Sequence, residues 1–245
     1  MITKEKIDEL VKKYETPEFI WADPVSLPHR FHDKKDIEIA GFISSLVAYG
    51  SRKVFIKKLD ELFNMAQNEP YNFITNFEPE IIGNFNYRFG KTEDFAEIFS
   101  IMKELYNKDG GLEELFKYGY KSGNMFKTVT DYFYSRAGAK AGQGFYFMIP
   151  NPEKGGAMKR MCMFLRWMVR KPPVDFGIWD FMPASELLIP LDVHVARISR
   201  EMGLLTRTAN DYKAVLELTE KLRQLDADDP VKYDFAMFGY GVSNK

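Results

Sequence analysis

Ile149-Pro-Asn-Pro-Glu-Lys-Gly-Gly-Ala-Met-Lys159 sets two prolines and two glycines within a few residues, directly ahead of a strongly cationic segment. Such a concentration of turn-forming residues stops regular structure and bends the chain sharply, which predicts a hairpin at about 149–156. From Ala157 to Arg170 the apolar residues Met158, Met161, Cys162, Leu165 and Met168 recur at three-and-four spacing, so this stretch is expected to be helical with one apolar side. Lys159, Met163, Arg166 and Arg170 fall on a different side. Pro172-Pro173 ends the helix, because neither proline can donate a backbone hydrogen bond and each disfavours helix in the residue before it. Between Glu153 and Lys171, the cations Lys154, Lys159, Arg160, Arg166, Arg170 and Lys171 face the single acid Glu153, which predicts a local positive face.

Downstream, Pro190-Leu-Asp192-Val-His-Val-Ala-Arg197 places an aspartate where a helix begins, running to Met202 with Gly203 as its stop. Ala209 to Leu225 predicts another helix, and Asp229-Pro230 opens a last one, with proline suited to the first helical position. Upstream, helices are expected over 3–15, 36–49, 54–65, 71–76, 94–107, 111–121 and 124–135, with an ordered loop from Trp21 to Asp33. Gly138 to Gly156 is the most irregular stretch. Phe73, Phe77, Phe85, Tyr87 and Phe89 are read as packing between short helices rather than as a base-stacking platform. No segment alternates apolar and polar residues long enough for a sheet, so the fold class is all-α.

At 245 residues and 45% hydrophobic, the chain has material for one large domain or two packed lobes, taken here as a single helical domain over 1–245. The lone cysteine, Cys162, excludes an intramolecular disulfide and a four-cysteine metal or iron-sulfur site. His29 and His32 lie near Asp23 and Asp33 but lack a convincing fourth ligand, so neither a metal nor any other cofactor is expected. The N-terminus mixes charges with apolar residues, unlike a signal peptide, and no run reaches the roughly 20 apolar residues that span a bilayer. A cytoplasmic protein without a membrane partner is expected. Its net charge of −1 does not by itself favour nucleic acid.

The order of turn-rich hairpin, Gly155-Gly-Ala-Met-Lys159, cationic helix, then Pro190-Leu-Asp192 with His194 and Arg197, resembles the helix-hairpin-helix DNA glycosylases. The 33 positions from Lys159 to Asp192 look more like the archaeal 8-oxoguanine glycosylase branch than the endonuclease III branch. Over nearly the whole chain, the pattern Asp23-Pro24, Ala48-Tyr49-Gly50, Arg166-Trp-Met-Val-Arg170, Pro190-Leu-Asp192 and Tyr233-Asp-Phe-Ala236 is similar to a bacterial family of unknown function common in Bacteroidetes. The glycosylase likeness covers mainly 145–242, and there the hairpin departs from the superfamily's Leu-Pro-Gly-Val-Gly form.

The resemblance implies two helical lobes around a cleft, with Lys159 and Asp192 as catalytic residues. A neutral lysine amine attacks C1′ of a sugar as the base departs, giving a Schiff base. Desolvation or a cationic neighbour such as Arg160 favours loss of the lysine proton. Asp192, at the start of its helix, accepts a proton and stabilises the oxocarbenium-like sugar. The turn would hold phosphate through Lys154, Gly155 and Gly156, with Arg160, Arg166, Arg170 and His194 as further DNA contacts. Trp167 and Trp179 would stack on a flipped base, and Ser51 and Arg52 would fill the gap left in the duplex.

Plainer roles stand beside each assignment: an N-cap for Asp192, a solvated amine for Lys159, a surface position for His194 and core packing for both tryptophans. The expected partner is damaged double-stranded DNA, with RNA left open, and the protein is expected to be a monomer that excises an oxidised purine such as 8-oxoguanine. The alternatives are a non-catalytic nucleic-acid-binding protein that keeps this fold and a helical protein-interaction module.

Overall fold

A computed structural model describes residues 2–21 and 23–243, the last two of these by backbone alone. Among the described residues there are helices, turns and two isolated bridges but no strand. The chain divides into two compact units, a terminal unit of Met1–Asp23 and Pro152–Lys245 and an inner unit of Pro24–Asn151.

The terminal unit opens with α1 (Lys4–Tyr14) and the single turn α2 (Pro17–Ile20). Thr3 caps α1 by accepting from the Lys6 amide, and Ile7 and Val11 turn its apolar side inward. The inner unit then contains α3 (Lys34–Val47), α4 (Arg52–Met65), α5 (Pro70–Thr75), α6 (Thr92–Lys108), α7 (Leu112–Lys121), α8 (Met125–Arg136) and α9 (Gln143–Met148). The chain returns to the terminal unit with α10 (Lys159–Val169), α11 (Val193–Glu201), α12 (Tyr212–Arg223) and α13 (Tyr233–Ser243).

In the inner unit α3 is buried on every side from Ile37 to Val47, including Glu38, whose carboxylate accepts from the Tyr106 hydroxyl at 2.5 Å. Phe73, Phe77, Phe85, Phe95 and Phe99 interlock at ring-centroid distances of 4.9–6.2 Å, so most of the aromatic run packs as expected. Phe89 does not: it is 57% exposed. The irregular stretch 138–156 holds the short helix α9, which its glycines and absence of a cap signal conceal in the sequence.

In the terminal unit α13 packs on both α1 and α11. Gly239 makes the first contact possible, because a Cβ there would lie 2.3 Å from the ring of Tyr14. Gly203, with φ +72°, closes α11 as expected; its own amide and that of Leu204 bond back to Arg200 and Ser199.

Candidate functional site

Lys159 is the first residue of α10 and follows Met158, which adopts a left-handed φ of +51°. Asp192 is the N-cap of α11, its Oδ1 accepting from the backbone amides of His194 and Val195 at 2.8 Å each. Two helix N-termini thereby meet, and Lys159 Nζ lies 3.8 Å from Asp192 Oδ2, within ion-pair reach but beyond a hydrogen bond. The lysine side chain is 33% exposed and the aspartate 17%, so the pair is open to solvent on one side. Asp192 is both N-cap and ion-pair partner; its two oxygens divide the tasks.

Seven and eleven residues bring a helix back to nearly the same face, so Arg166 and Arg170 line up behind Lys159 along α10. Their surroundings are different. Arg166 donates from Nε to Asp175 at 3.2 Å and from Nη1 to Asp234, with its guanidinium over the ring of Phe235 at 4.4 Å. Arg170 donates to Asp229 at 2.8 Å, to Asp175 at 3.2 Å and to Glu15. The Arg166 side chain is only 4% exposed. Both arginines are buried and paired with carboxylates, with side chains 4% and 8% exposed, where the sequence reading expected them to reach DNA. The predicted positive face of this segment contracts to Lys154, Lys159, Arg160 and Lys171.

The carboxylates that surround these arginines were not singled out by sequence reasoning. Burial pushes Asp234 up to about 7 against the pull of Arg166, and the nearby carboxylates Asp192 and Asp23 push in the same direction while Lys159 opposes them. Asp175 rises to about 6 by burial, held down by Arg166 and Arg170. Asp234 is thus hydrogen-bonded to Arg166 and within electrostatic reach of Asp192 and Lys159. The signal was available in the recurring Asp23-Pro24 and Tyr233-Asp-Phe-Ala236 elements, which had been assigned no role.

The expected phosphate-binding turn is a 3-10 turn over Pro152–Lys154 followed by Gly155 at φ +72°. Lys154, Gly155 and Gly156 are exposed. The turn is fixed from outside by the Tyr212 amide, which donates to Gly155 O at 3.0 Å, and by a bridge between Gly156 and Asp211. Asp211 caps α12 and pairs with Arg207, which holds its carboxyl down at about 2. Arg160 and His194 are half-buried, and the His194 ring meets Phe238 edge-on at 6.5 Å.

Trp167 and Trp179 are core residues, 0% and 1% exposed, so the expectation that they stack on a flipped base gives way to packing; Trp179 abuts Phe164 at 5.1 Å. Ser51 is the N-cap of α4 and Arg52 its first residue, both in the inner unit. Cys162 is buried, which pushes its thiol up and makes it inert.

No curated protein and no solved structure matches the chain. A family profile described as "Protein of unknown function (DUF2400)" matches residues 23–243, a span that holds Asp23, Lys159, Arg166, Arg170, Asp192 and Asp234. That match covers most of the sequence, and the chain therefore belongs to the DUF2400 family of proteins of unknown function.

Proposed function

We propose that this chain is a lysine-dependent DNA glycosylase of the helix-hairpin-helix superfamily, with lyase activity on an oxidised purine such as 8-oxoguanine. The observation that carries this reading is the 3.8 Å approach of Lys159 Nζ to Asp192 Oδ2 at the open ends of two helices. Asp192 Oδ1 is occupied by two backbone amides, and Oδ2 faces the amine. This division suits a carboxylate that must stay in place while it takes up a proton.

In the reaction, the Lys159 ammonium gives a proton to Asp192, and the amine lone pair forms a bond to C1′ as the bond from C1′ to the base breaks. The departing base carries the bonding pair and takes up the proton that Asp192 received. The ring then opens as an Nζ proton passes to O4′, which yields a Schiff base between Nζ and C1′, and transfer of a C2′ proton to Asp192 expels the 3′ phosphate with the C3′–O bonding pair. Asp192 also stabilises positive charge on the sugar before attack. The exposed turn at Lys154, Gly155 and Gly156, with Arg160 beside Lys159 in sequence, supplies donors for the DNA backbone.

The test is borohydride trapping on duplexes carrying 8-oxoguanine, uracil or an abasic site. A covalent adduct is expected with the protein and is expected to disappear in Lys159→Ala. Folded protein that yields no adduct on any duplex overturns the lysine mechanism and leaves a nucleic-acid-binding protein without the chemistry.

A further inference from the structure

The inner unit carries a surface feature that the reading of Lys159 and Asp192 does not use. Residues 87–90 form a two-residue turn: the Tyr87 amide donates to Gly90 O at 2.8 Å, and the Gly90 amide donates to Tyr87 O at 2.9 Å. Arg88 occupies its first central position with φ +51°, a left-handed conformation uncommon in residues other than glycine. The outcome is that Arg88 and Phe89 sit side by side at the tip, both exposed, with the guanidinium 5.8 Å from the ring centroid.

Several contacts hold this tip rigid. The Tyr49 hydroxyl donates to Tyr87 O at 3.0 Å and the Tyr87 hydroxyl donates to Tyr49 O, a reciprocal clasp. Asp94, 2% exposed, accepts from the Lys91 amide at 2.9 Å and from the Gly142 amide at 2.7 Å, which fastens the turn to the start of α9. A Cβ on Gly144 would lie 2.4 Å from Phe89 O, so α9 sits flush against the turn and brings its aromatics alongside.

The product is a continuous aromatic surface. Phe89 meets Phe147 at 5.0 Å, Phe147 meets Tyr49 at 4.9 Å, and Tyr49 and Phe89 lie nearly parallel, 20° apart, at 6.2 Å. Phe89 is 57% exposed and Phe147 37%. Single exposed aromatics are ordinary, but a joined set of them on a rigid turn marks a contact site.

Charge identifies the partner. The three segments that build this surface, 49–58, 84–91 and 139–149, hold seven lysines and arginines and no aspartate or glutamate, in a chain whose net charge is −1. Lys58 pairs with Glu61, while Lys53, Arg88, Lys91 and Lys140 are exposed. Of the neighbouring carboxylates, Asp94 is buried and accepts from the Lys91 and Gly142 amides, and Glu97 accepts from the Gly138 amide. Aromatic faces accompanied by exposed cations suit a polyanion that also carries flat, apolar rings.

We infer that the Arg88-Phe89 turn, with Tyr49 and Phe147 behind it, is a binding surface for unstacked nucleic acid, taking a base on the Phe89 ring and its phosphates on the surrounding cations. The inference rests on the proposed function in its choice of nucleic acid as the partner class. It is tested without glycosylase chemistry.

Binding of a labelled, undamaged oligothymidylate of about 15 nucleotides is followed by fluorescence anisotropy at several salt concentrations. Phe89→Ala is expected to weaken binding about ten-fold or more with the salt slope unchanged, and Phe89→Trp to retain it. Arg88→Ala is expected to lower the log–log salt slope by about one phosphate contact, and Arg88→Lys to restore it.

Absence of binding by the unaltered protein at low salt overturns the inference, and so does binding that neither alanine variant weakens. A dimer in sedimentation that Phe89→Ala converts to monomers assigns the face to a second copy of the chain and also overturns it. Trapping that fails while oligothymidylate binding persists counts against the proposed chemistry alone. Trapping that succeeds while such binding is absent counts against this surface alone.

Discussion

The two ends of α10 present the same chemistry in two solvents. At its start, one cation and one carboxylate meet with solvent on one side. Toward its end, along nearly the same helix face, two guanidinium groups are enclosed by Glu15, Asp175, Asp229 and Asp234. A guanidinium stays charged at any pH a protein meets, spreads its charge over a plane and has enough donors to serve several carboxylates. Lysine has a compact charge and can give up its proton. Arginine therefore belongs in the enclosed end, where a fixed charge with many partners is needed, and lysine at the open end, where the proposed reaction moves a proton. The contrast teaches that charge pattern along a helix says little about purpose until burial is known.

The largest expected effect breaks the enclosed end. Arg166→Ala leaves Asp234 without its arginine and Asp175 with Arg170 alone, and urea unfolding is expected to show a loss of about 3–5 kcal/mol. A loss below about 1 kcal/mol would mean that these carboxylates are neutral in the native protein, erasing the difference between the two ends.

Next comes pH. Asp234 rises from 3.8 in its ordinary state to about 7 when folded, and Asp175 to about 6. The folded protein therefore holds these protons more tightly than the unfolded chain, so this contribution is present in full below the unfolded value and is lost as pH rises toward 7. Chemical-denaturation stability is expected to decline across that window, and Asp234→Asn is expected to flatten the decline.

A smaller effect sharpens the open end. Asp192→Ala removes the cap of α11 and is expected to cost about 1 kcal/mol, whereas Asp192→Asn keeps a capping oxygen and costs a few tenths. Both are expected to reduce borohydride trapping. Equal trapping by Asp192→Asn and unaltered protein would reduce Asp192 to a cap.

Smallest of all in stability is Lys159→Ala, expected within about 0.5 kcal/mol because the pair is partly solvated. Its effect should lie in chemistry. A thermal shift as large as that of Arg166→Ala would show the open end to be structural as well.

The helices were largely legible because apolar residues at helical spacing recur where the protein buries them, as at Ile7 and Val11 or Val195 and Ile198. The meeting of Lys159 with Asp192 came from resemblance, since no local pattern links residues 33 positions apart. The interior position of Arg166 and Arg170 was hidden because their carboxylates come from four separate places in the chain. An arginine on the polar side of an amphipathic helix reads as solvated until those partners are folded around it. The short helix α9 and the exposure of Phe89 escaped for a related reason. Tight turns have no period, so neither a ring's burial nor its neighbours can be inferred from spacing.

The terminal unit is assembled from two stretches that flank the inner one in sequence, with α1 packed on α13. On the ribosome, the inner unit emerges as one uninterrupted run and can complete its contacts as it is made. The first helix has no such option. Lys4 must wait for Tyr233, 229 residues later, before their hydrogen bond forms, and until then Ile7 and Val11 have no α13 to cover them. Translation speed and chaperone occupancy during that interval therefore bear on the yield of the terminal unit and leave the inner one almost untouched.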